Sequence, residues 1–215
     1  MIKRTAVLMC LLVSVSACES AYYSVQEQFG VLKNEILVDR VEEAMEAQQE
    51  AKTEFKDALE QFEAVLGVPD SELKVMYQQL SEAYEDASDT ASLVRRRIDS
   101  VENVAEDLFD EWQEELSQIS NTTLRRKSSS RLKASRRSHD TLLQAMNRAE
   151  AGMAPVLTSF NDHVLYLKHN LNAQAIDSLQ SDIGGIGADV GRLIVDMEKS
   201  IAEAQKFIIS MEGVN

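Results

Sequence analysis

The sequence predicts an all-α protein in which about four long helices pack antiparallel into an elongated bundle of coiled-coil hairpins. Only 2 prolines and 8 glycines occur in 215 residues, while helix-forming residues abound, a composition typical of long helices. Apolar side chains recur in alternating steps of three and four along four stretches, as on helices that bury one face. Short turn-forming segments separate these stretches, so consecutive helices should be antiparallel neighbours.

The first predicted helix opens at a capping box formed by Ser24 and Glu27, in which each side chain accepts a hydrogen bond from the other residue's amide. Its heptad seam is polar at two places. The seam comprises Val38, Val41, Met45, Gln48, Lys52, Phe55, Leu59, Phe62 and Leu66. A turn is predicted at residues 67–70, because glycine commonly ends a helix and aspartate commonly begins one.

The second seam covers residues 73–112. The second helix is predicted to end near Ser120, Asn121 and Thr122, whose side chains favour caps and turns. The third seam covers residues 132–167 and keeps its phase through Pro155, which indicates a kink and not an end. The phase breaks at residues 169–172, which predicts the third turn. The fourth seam then covers residues 176–208.

Four glycines, Gly184, Gly185, Gly187 and Gly191, interrupt the fourth helix. Each glycine costs roughly 1 kcal/mol in a helix relative to alanine. Antiparallel pairing places Gly191 opposite Gly152, which suggests a narrow waist or hinge where two helices approach closely. A local break in the fourth helix is the competing interpretation.

The seams also predict which residues face each other across the hairpins. Constant antiparallel register pairs Met45 with Val94 in the first hairpin, Ile98 with Met146 in the second, and Met146 with Met197 in the third. The same registers centre on the three independently predicted turns, so the hairpins are mutually consistent. Two long hairpins that splay apart, or that pair between molecules, remain the alternative to one closed bundle.

Charge is polarised around the second turn. Residues 98–124 contain eight acids and no base, whereas residues 125–137 contain seven bases and no acid. One hypothesis is an anion-binding strip. The favoured interpretation is an intramolecular zipper, because the register places Glu111 opposite Lys133 and Asp107 opposite Arg137. The seven basic residues are Arg125, Arg126, Lys127, Arg131, Lys133, Arg136 and Arg137.

Other constellations are weak. His139, His163 and His169 have no helical metal-ligand spacing, and His139 fits a polar core position. No phosphate-binding glycine loop and no nucleophile elbow occur in the sequence. We therefore predict no catalytic residues, no metal and no cofactor. A net charge of −14 argues against nucleic acid as a partner.

The N-terminus has the form of a lipoprotein signal peptide. Lys3 and Arg4 precede an apolar run at residues 6–15 that is well short of the roughly 20 residues of a membrane span. Small residues then precede Cys18, which is the residue that lipoprotein processing would acylate. The alternative is an ordinary signal peptide followed by a cysteine by coincidence.

These features predict the organisation of the whole chain. We expect a signal peptide at residues 1–17, an acylated tether at 18–23, one elongated helical domain at 24–212 and a tail at 213–215. Residue 19 is Glu, unlike the aspartate that retains similar bacterial lipoproteins in the inner membrane. The expected location is therefore the outer membrane, with the chain facing the periplasm.

Several stretches resemble an uncharacterised family of Gram-negative coiled-coil lipoproteins that is defined as a domain of unknown function. They are residues 36–44, 108–116, 120–121 with 124–126, and 165–176. The resemblance supplies no activity, substrate or catalytic residue, and the glycine cluster departs from the family pattern.

Two functional hypotheses follow. The first is a non-enzymatic envelope scaffold, spacer or adaptor that is held to the membrane by its lipid and meets envelope proteins or the cell wall. The alternative is a binding module for an anionic envelope component, lipopolysaccharide or peptidoglycan, through residues 125–137. No oligomeric state is predicted, and an enzymatic hypothesis has no constellation behind it.

Replacing the proposed acylation site, Cys18→Ser, should release the protein from membranes without unfolding it. The helices do not need the lipid, because their apolar faces cover each other. Fractionation and palmitate incorporation would report the loss of the anchor, and far-ultraviolet circular dichroism would report the fold. A variant that loses its helicity would contradict this picture.

Overall fold

The computed structural model describes residues 32–67, 69–170 and 173–212, and within these ranges it contains four long α-helices and no strand. The helices are α1 (Lys33–Ala64), α2 (Leu73–Glu115), α3 (Thr122–His169) and α4 (Ala173–Glu212). At about 1.5 Å per residue, the 48 residues of α3 extend about 70 Å. The predicted all-α fold of about four long helices is confirmed.

The four helices close into a single bundle. α1 packs on α2, α2 on α3, α3 on α4, and α4 returns to α1. Each of these interfaces has an ion pair near the middle of the bundle. The pairs are Glu43 with Arg97 at 2.6 Å, Arg95 with Glu150 at 2.8 Å, Arg148 with Asp196 at 3.1 Å, and Lys52 with Glu198 at 3.4 Å. The splayed arrangement of two separate hairpins is therefore wrong.

These ion pairs also check the register of the hairpins. The predicted pairing places Glu43 opposite position 96, Glu150 opposite position 94 and Asp196 opposite position 147. Each carboxylate instead bonds the arginine one residue further along. A one-residue offset is within the reach of these side chains, so the predicted antiparallel registers are confirmed in the middle of the bundle.

A continuous apolar core runs along the bundle and includes a stack of aromatic rings. Phe62 and Phe160 stack with their ring centroids 4.5 Å apart, and Phe55 lies 6.5 Å from Phe160. All three side chains are fully buried. Because α1 and α3 are diagonal in the bundle, this stack joins helices that share no hairpin.

The core face of α1 is wider than its predicted seam. Val41, Gln48, Phe55 and Phe62 are buried as predicted. Ile36 and Ala47 are also buried. Four further buried positions fall one residue before the predicted ones. They are Leu37, Ala44, Ala51 and Ala58, while Val38, Met45, Lys52 and Leu59 are only partly buried. The reason is that α1 packs against both α2 and α4, so the alanines face inward and the longer side chains cover the edges.

Two polar residues of this core, one on α1 and one on α4, are completely inaccessible to solvent. The side-chain amide of Gln48 and the hydroxyl of Ser200 are fully buried and have no hydrogen-bond partner among the described residues. Leaving such a group unsatisfied costs about 1–3 kcal/mol. Lys52, the second predicted polar seam position, keeps its ammonium group near Glu198 at the surface.

The turns lie where the sequence predicts them. α1 ends in a 3-10 turn, Val65–Gly67, and a second one, Asp70–Glu72, leads into α2. Asn121 caps α3 by accepting hydrogen bonds from the amides of Thr123 and Leu124 at 2.9 and 3.1 Å. α3 continues through Pro155 and ends at His169. The capping box at Ser24 lies outside the described residues.

The glycine cluster does not bring helices together. A Cβ atom on Gly184, Gly185 or Gly191 would meet nothing within 4 Å, and all three residues are exposed on a helix that continues through them. Both sequence hypotheses, close approach of Gly191 to Gly152 and a local break, are therefore wrong for these positions. Among the glycines of the described helices, Gly152 is the most confined, since its Cβ would lie 3.2 Å from Cδ1 of Leu193, whereas that of Gly187 would lie 3.9 Å from Cδ2 of Leu59.

The variant Gly184→Ala should raise the free energy of unfolding by about 0.5–1 kcal/mol, because alanine restricts the unfolded chain and its Cβ meets open space. Urea denaturation would measure the change. Gly152→Ala is the matched control, in which contact with Leu193 should offset the gain. A loss of stability in Gly184→Ala would show that this position needs a non-helical conformation.

Candidate anion-binding site

The seven basic residues of the predicted strip lie on the first turns of α3, just after the second turn of the chain. Six of them are exposed. These six are Arg125, Arg126, Lys127, Arg131, Lys133 and Arg137. They belong to the solvent face of α3, because the inward positions of the same segment are occupied by Leu132 and Ser135.

Arg136 is the residue of the strip that joins α3 to α2. Its guanidinium donates hydrogen bonds to the carbonyl oxygen of Phe109 at 3.0 Å and to Asp110 at 3.2 Å, and it lies 5.2 Å from the centroid of the Phe109 ring. Such partly exposed contacts contribute modestly to stability, on the order of 1 kcal/mol each. They orient the start of α3 on α2.

The predicted zipper between the acidic and basic segments is otherwise not formed. Glu111 pairs with Lys33 of α1 and not with Lys133, because this part of α2 also faces α1. Asp107 makes no ion pair with Arg137 within the described ranges. Four other bases of the strip also form no ion pair within the described ranges. They are Arg125, Arg126, Lys127 and Lys133. The strip thus keeps most of its positive charge available to solvent.

A cleft of about 880 Å³ opens beside this strip at the second turn. Its apolar side is formed by Trp112, Ile119 and Leu124, and Leu124 is 56% exposed. Its polar lining consists of Arg126, Lys127, Ser128, Ser130 and Arg131. The cleft therefore places cationic side chains and hydroxyl groups next to an apolar surface.

Trp112 holds one wall of the cleft in place. Its indole Nε1 donates a hydrogen bond to Oγ of Ser128 at 2.7 Å, which ties the end of α2 to α3. The predicted register of the second hairpin places Trp112 in the buried seam opposite Leu132. In the structure the ring is only partly buried, and its hydrogen-bond partner, Ser128, lies one helical turn nearer the second turn. Phe109 occupies the core instead. The sequence signal for this wall of the cleft is the presence of the single tryptophan close to the basic strip.

The cleft lies at the end of the bundle that holds both ends of the described chain. A smaller cavity of about 270 Å³ on the other side of Trp112 is lined by Leu32 and Lys33 from the start of α1 and by Met211 from the end of α4. The first and third turns lie at the opposite end. Cys18, the predicted acylation site, lies outside the described residues and precedes Leu32 in the chain.

The histidines occupy different environments. His139 is buried between Phe109 and Phe207, whose ring centroids lie 5.6 and 6.2 Å from the imidazole. Burial lowers the pKa of His139, with Arg136 adding to the effect and Asp140 and Glu106 opposing it. The predicted polar core position of His139 is confirmed. His169 is exposed at the end of α3.

A second cleft, of about 570 Å³, lies between α3 and α4 towards the third turn and has the opposite charge. His163 faces Asp182 there, with Nε2 and Oδ2 3.5 Å apart, and burial lowers the pKa of His163 against the opposing carboxylates of Asp182 and Asp162. Gly185 lines this cleft, so its missing side chain helps to keep it open. Within the described ranges, no three His, Cys, Asp or Glu residues are grouped as metal ligands.

The comparison with known families gives one match, to a family described as "Protein of unknown function (DUF2959)", over residues 22–211. The chain belongs to this family. The DUF2959 match covers all four helices except the last residue of α4, and it confirms the resemblance to a domain-of-unknown-function family. No curated protein and no solved structure matches the chain. Among the described residues, no helix combines the length and apolar character that a membrane span needs.

Protonation of His139 should make the protein less stable in acid. Because burial lowers the pKa of His139 in the folded state below the ordinary value of about 6.5, the unfolded chain binds the proton more readily. The stabilising contribution of the neutral imidazole is complete above about pH 6.5 and is lost as the pH falls through the lower, folded pKa.

Urea denaturation between about pH 7 and pH 5 would measure this loss. His139→Leu should lose less unfolding free energy over this interval than the parent chain does. The exposed His169→Leu serves as the control and should behave like the parent. Identical pH dependence in all three proteins would contradict a buried, neutral His139.

Proposed function

We propose that this chain is a non-enzymatic lipoprotein that is anchored in the outer membrane through Cys18, faces the periplasm and acts as an envelope scaffold, spacer or adaptor. The observation that carries the proposal is the topology of the bundle. The start of α1 and the end of α4 lie at one end, and the first and third turns lie about 50–60 Å away at the other.

A closed bundle suits this role better than a splayed pair of hairpins would. Its continuous core and its ring of ion pairs resist bending and separation of the helices. If the lipid holds one end at the membrane, the opposite end reaches into the periplasm. Exposed helix faces along the bundle would then meet envelope proteins or the cell wall.

A second candidate function is binding of an anionic envelope component, lipopolysaccharide or peptidoglycan, through residues 125–137. It is favoured by the exposure of six of the seven bases and by the cleft beside Trp112. Exposed Lys and Arg side chains attract phosphate and carboxylate groups, and arginine binds both in bidentate fashion.

The spacer function predicts that the anchored bundle stands upright on a membrane. The test reconstitutes the acylated full-length protein in vesicles that carry an acceptor dye on their surface. A donor is attached to Ser71→Cys at the first turn or, as the matched control, to Ser120→Cys at the second turn; both positions are exposed. Once the signal peptide is removed and Cys18 is acylated, no other cysteine competes for the label.

Energy transfer should be strong from position 120 and at least tenfold weaker from position 71, because transfer falls steeply with distance and the two turns are roughly 60–70 Å apart. Equally strong transfer from both positions would mean that the bundle lies flat on the membrane. That outcome would exclude a spacer that projects into the periplasm.

A further inference from the structure

We propose that the cleft at the second turn is a binding site for the phosphate-bearing headgroup of an anionic membrane lipid. This inference rests on the second candidate function, and it names both the ligand and the residues that bind it. It commits to a lipid of the membrane in which the chain would be anchored, and not to a soluble anion or to the cell wall.

The two halves of the cleft match the two halves of such a lipid. Arg126 and Lys127 supply positive charge that no acid of the described residues neutralises, and Ser130 adds a hydroxyl donor. Guanidinium and ammonium groups together suit a phosphate ester, which accepts charge-assisted hydrogen bonds. A simple anion would use only this half.

The apolar half of the cleft indicates a lipid and not a free phosphate. Ile119 and Leu124 present hydrocarbon surface beside the cations, and Leu124 is more than half exposed to solvent. The indole of Trp112 also lines the cleft, and its nitrogen donates a hydrogen bond to Oγ of Ser128. Tryptophan rings of this kind, with one polar and one apolar edge, favour the headgroup level of a bilayer.

The position of the cleft supplies the third argument. It lies at the end of the bundle from which the chain runs back from Leu32 towards Cys18. An acylated Cys18 would hold this end, and not the first or third turn, against the membrane. The acidic cleft near His163 lies towards the opposite end, so the two clefts would not compete for the same ligand.

The chain reports on this site by itself, because Trp112 is its only tryptophan. The experiment uses the acylated full-length protein in vesicles of phosphatidylcholine that contain a rising fraction of phosphatidylglycerol. Emission of Trp112 should change and saturate as phosphatidylglycerol increases. Inorganic phosphate added to vesicles of phosphatidylcholine alone should leave the emission unchanged.

Two double variants separate the cleft from general basic charge. Arg126→Gln with Lys127→Gln removes the two cations of the cleft, whereas Lys133→Gln with Arg137→Gln removes the same types of charge from exposed positions outside it. The cleft variant should need roughly tenfold more phosphatidylglycerol for half of the emission change, since charge-assisted hydrogen bonds are lost. The control variant should stay within about twofold of the parent.

The outcomes that would overturn the proposal are distinct. An equal loss in both double variants would assign binding to diffuse basic charge, which retains the second candidate function but not the cleft. The same emission change with inorganic phosphate would make the cleft a small-anion site. No response to phosphatidylglycerol would exclude the lipid. None of these outcomes alters the energy-transfer test, so a failed cleft and a failed spacer are distinguishable.

Discussion

Every helix of this protein must bury its apolar face against two neighbours, and the rest of the structure depends on that constraint. Three interfaces follow from the short turns, whereas the fourth, between α4 and α1, forms only when the bundle closes. Closure explains why alanines such as Ala44 and Ala51 are fully buried on α1. It also allows Phe160 to stack on Phe62 across the diagonal of the bundle.

The large-scale architecture was predictable because apolar periodicity and turn chemistry are local properties of the sequence. Helix type, three turn positions and antiparallel registers therefore followed from it. The sequence did not show which side of each helix faces a given neighbour, because a one-dimensional seam does not encode the handedness of the bundle. Glu111 thus pairs with Lys33 of α1, although the seam assigned it to Lys133 of α3. The buried alanines of α1 were not predicted, because the seam of that helix contains only larger side chains.

The candidate site was predicted by its charge but not by its shape. The run of bases is visible in the sequence, and six of the seven are exposed. The apolar wall is not visible, because Trp112 and Leu124 lie on different helices and meet only through the geometry of the second turn. The glycines failed as a packing signal because three of the four face solvent, and one of these, Gly185, helps to leave the acidic cleft near His163 open. The bundle thus carries a basic cleft near one end and an acidic cleft towards the other.

The two ends of the described chain lie at the same end of the bundle, which has a practical consequence for experiments on this family. A fluorescent protein or affinity tag fused after Glu212 would sit beside Leu32 and Trp112, where it would crowd the basic cleft. Insertions between Gly67 and Asp70 would place the same tag at the far end, away from the basic cleft. Localisation and pull-down experiments with C-terminal fusions would therefore use a protein whose basic cleft is obstructed, whereas fusions in the first turn leave that cleft free.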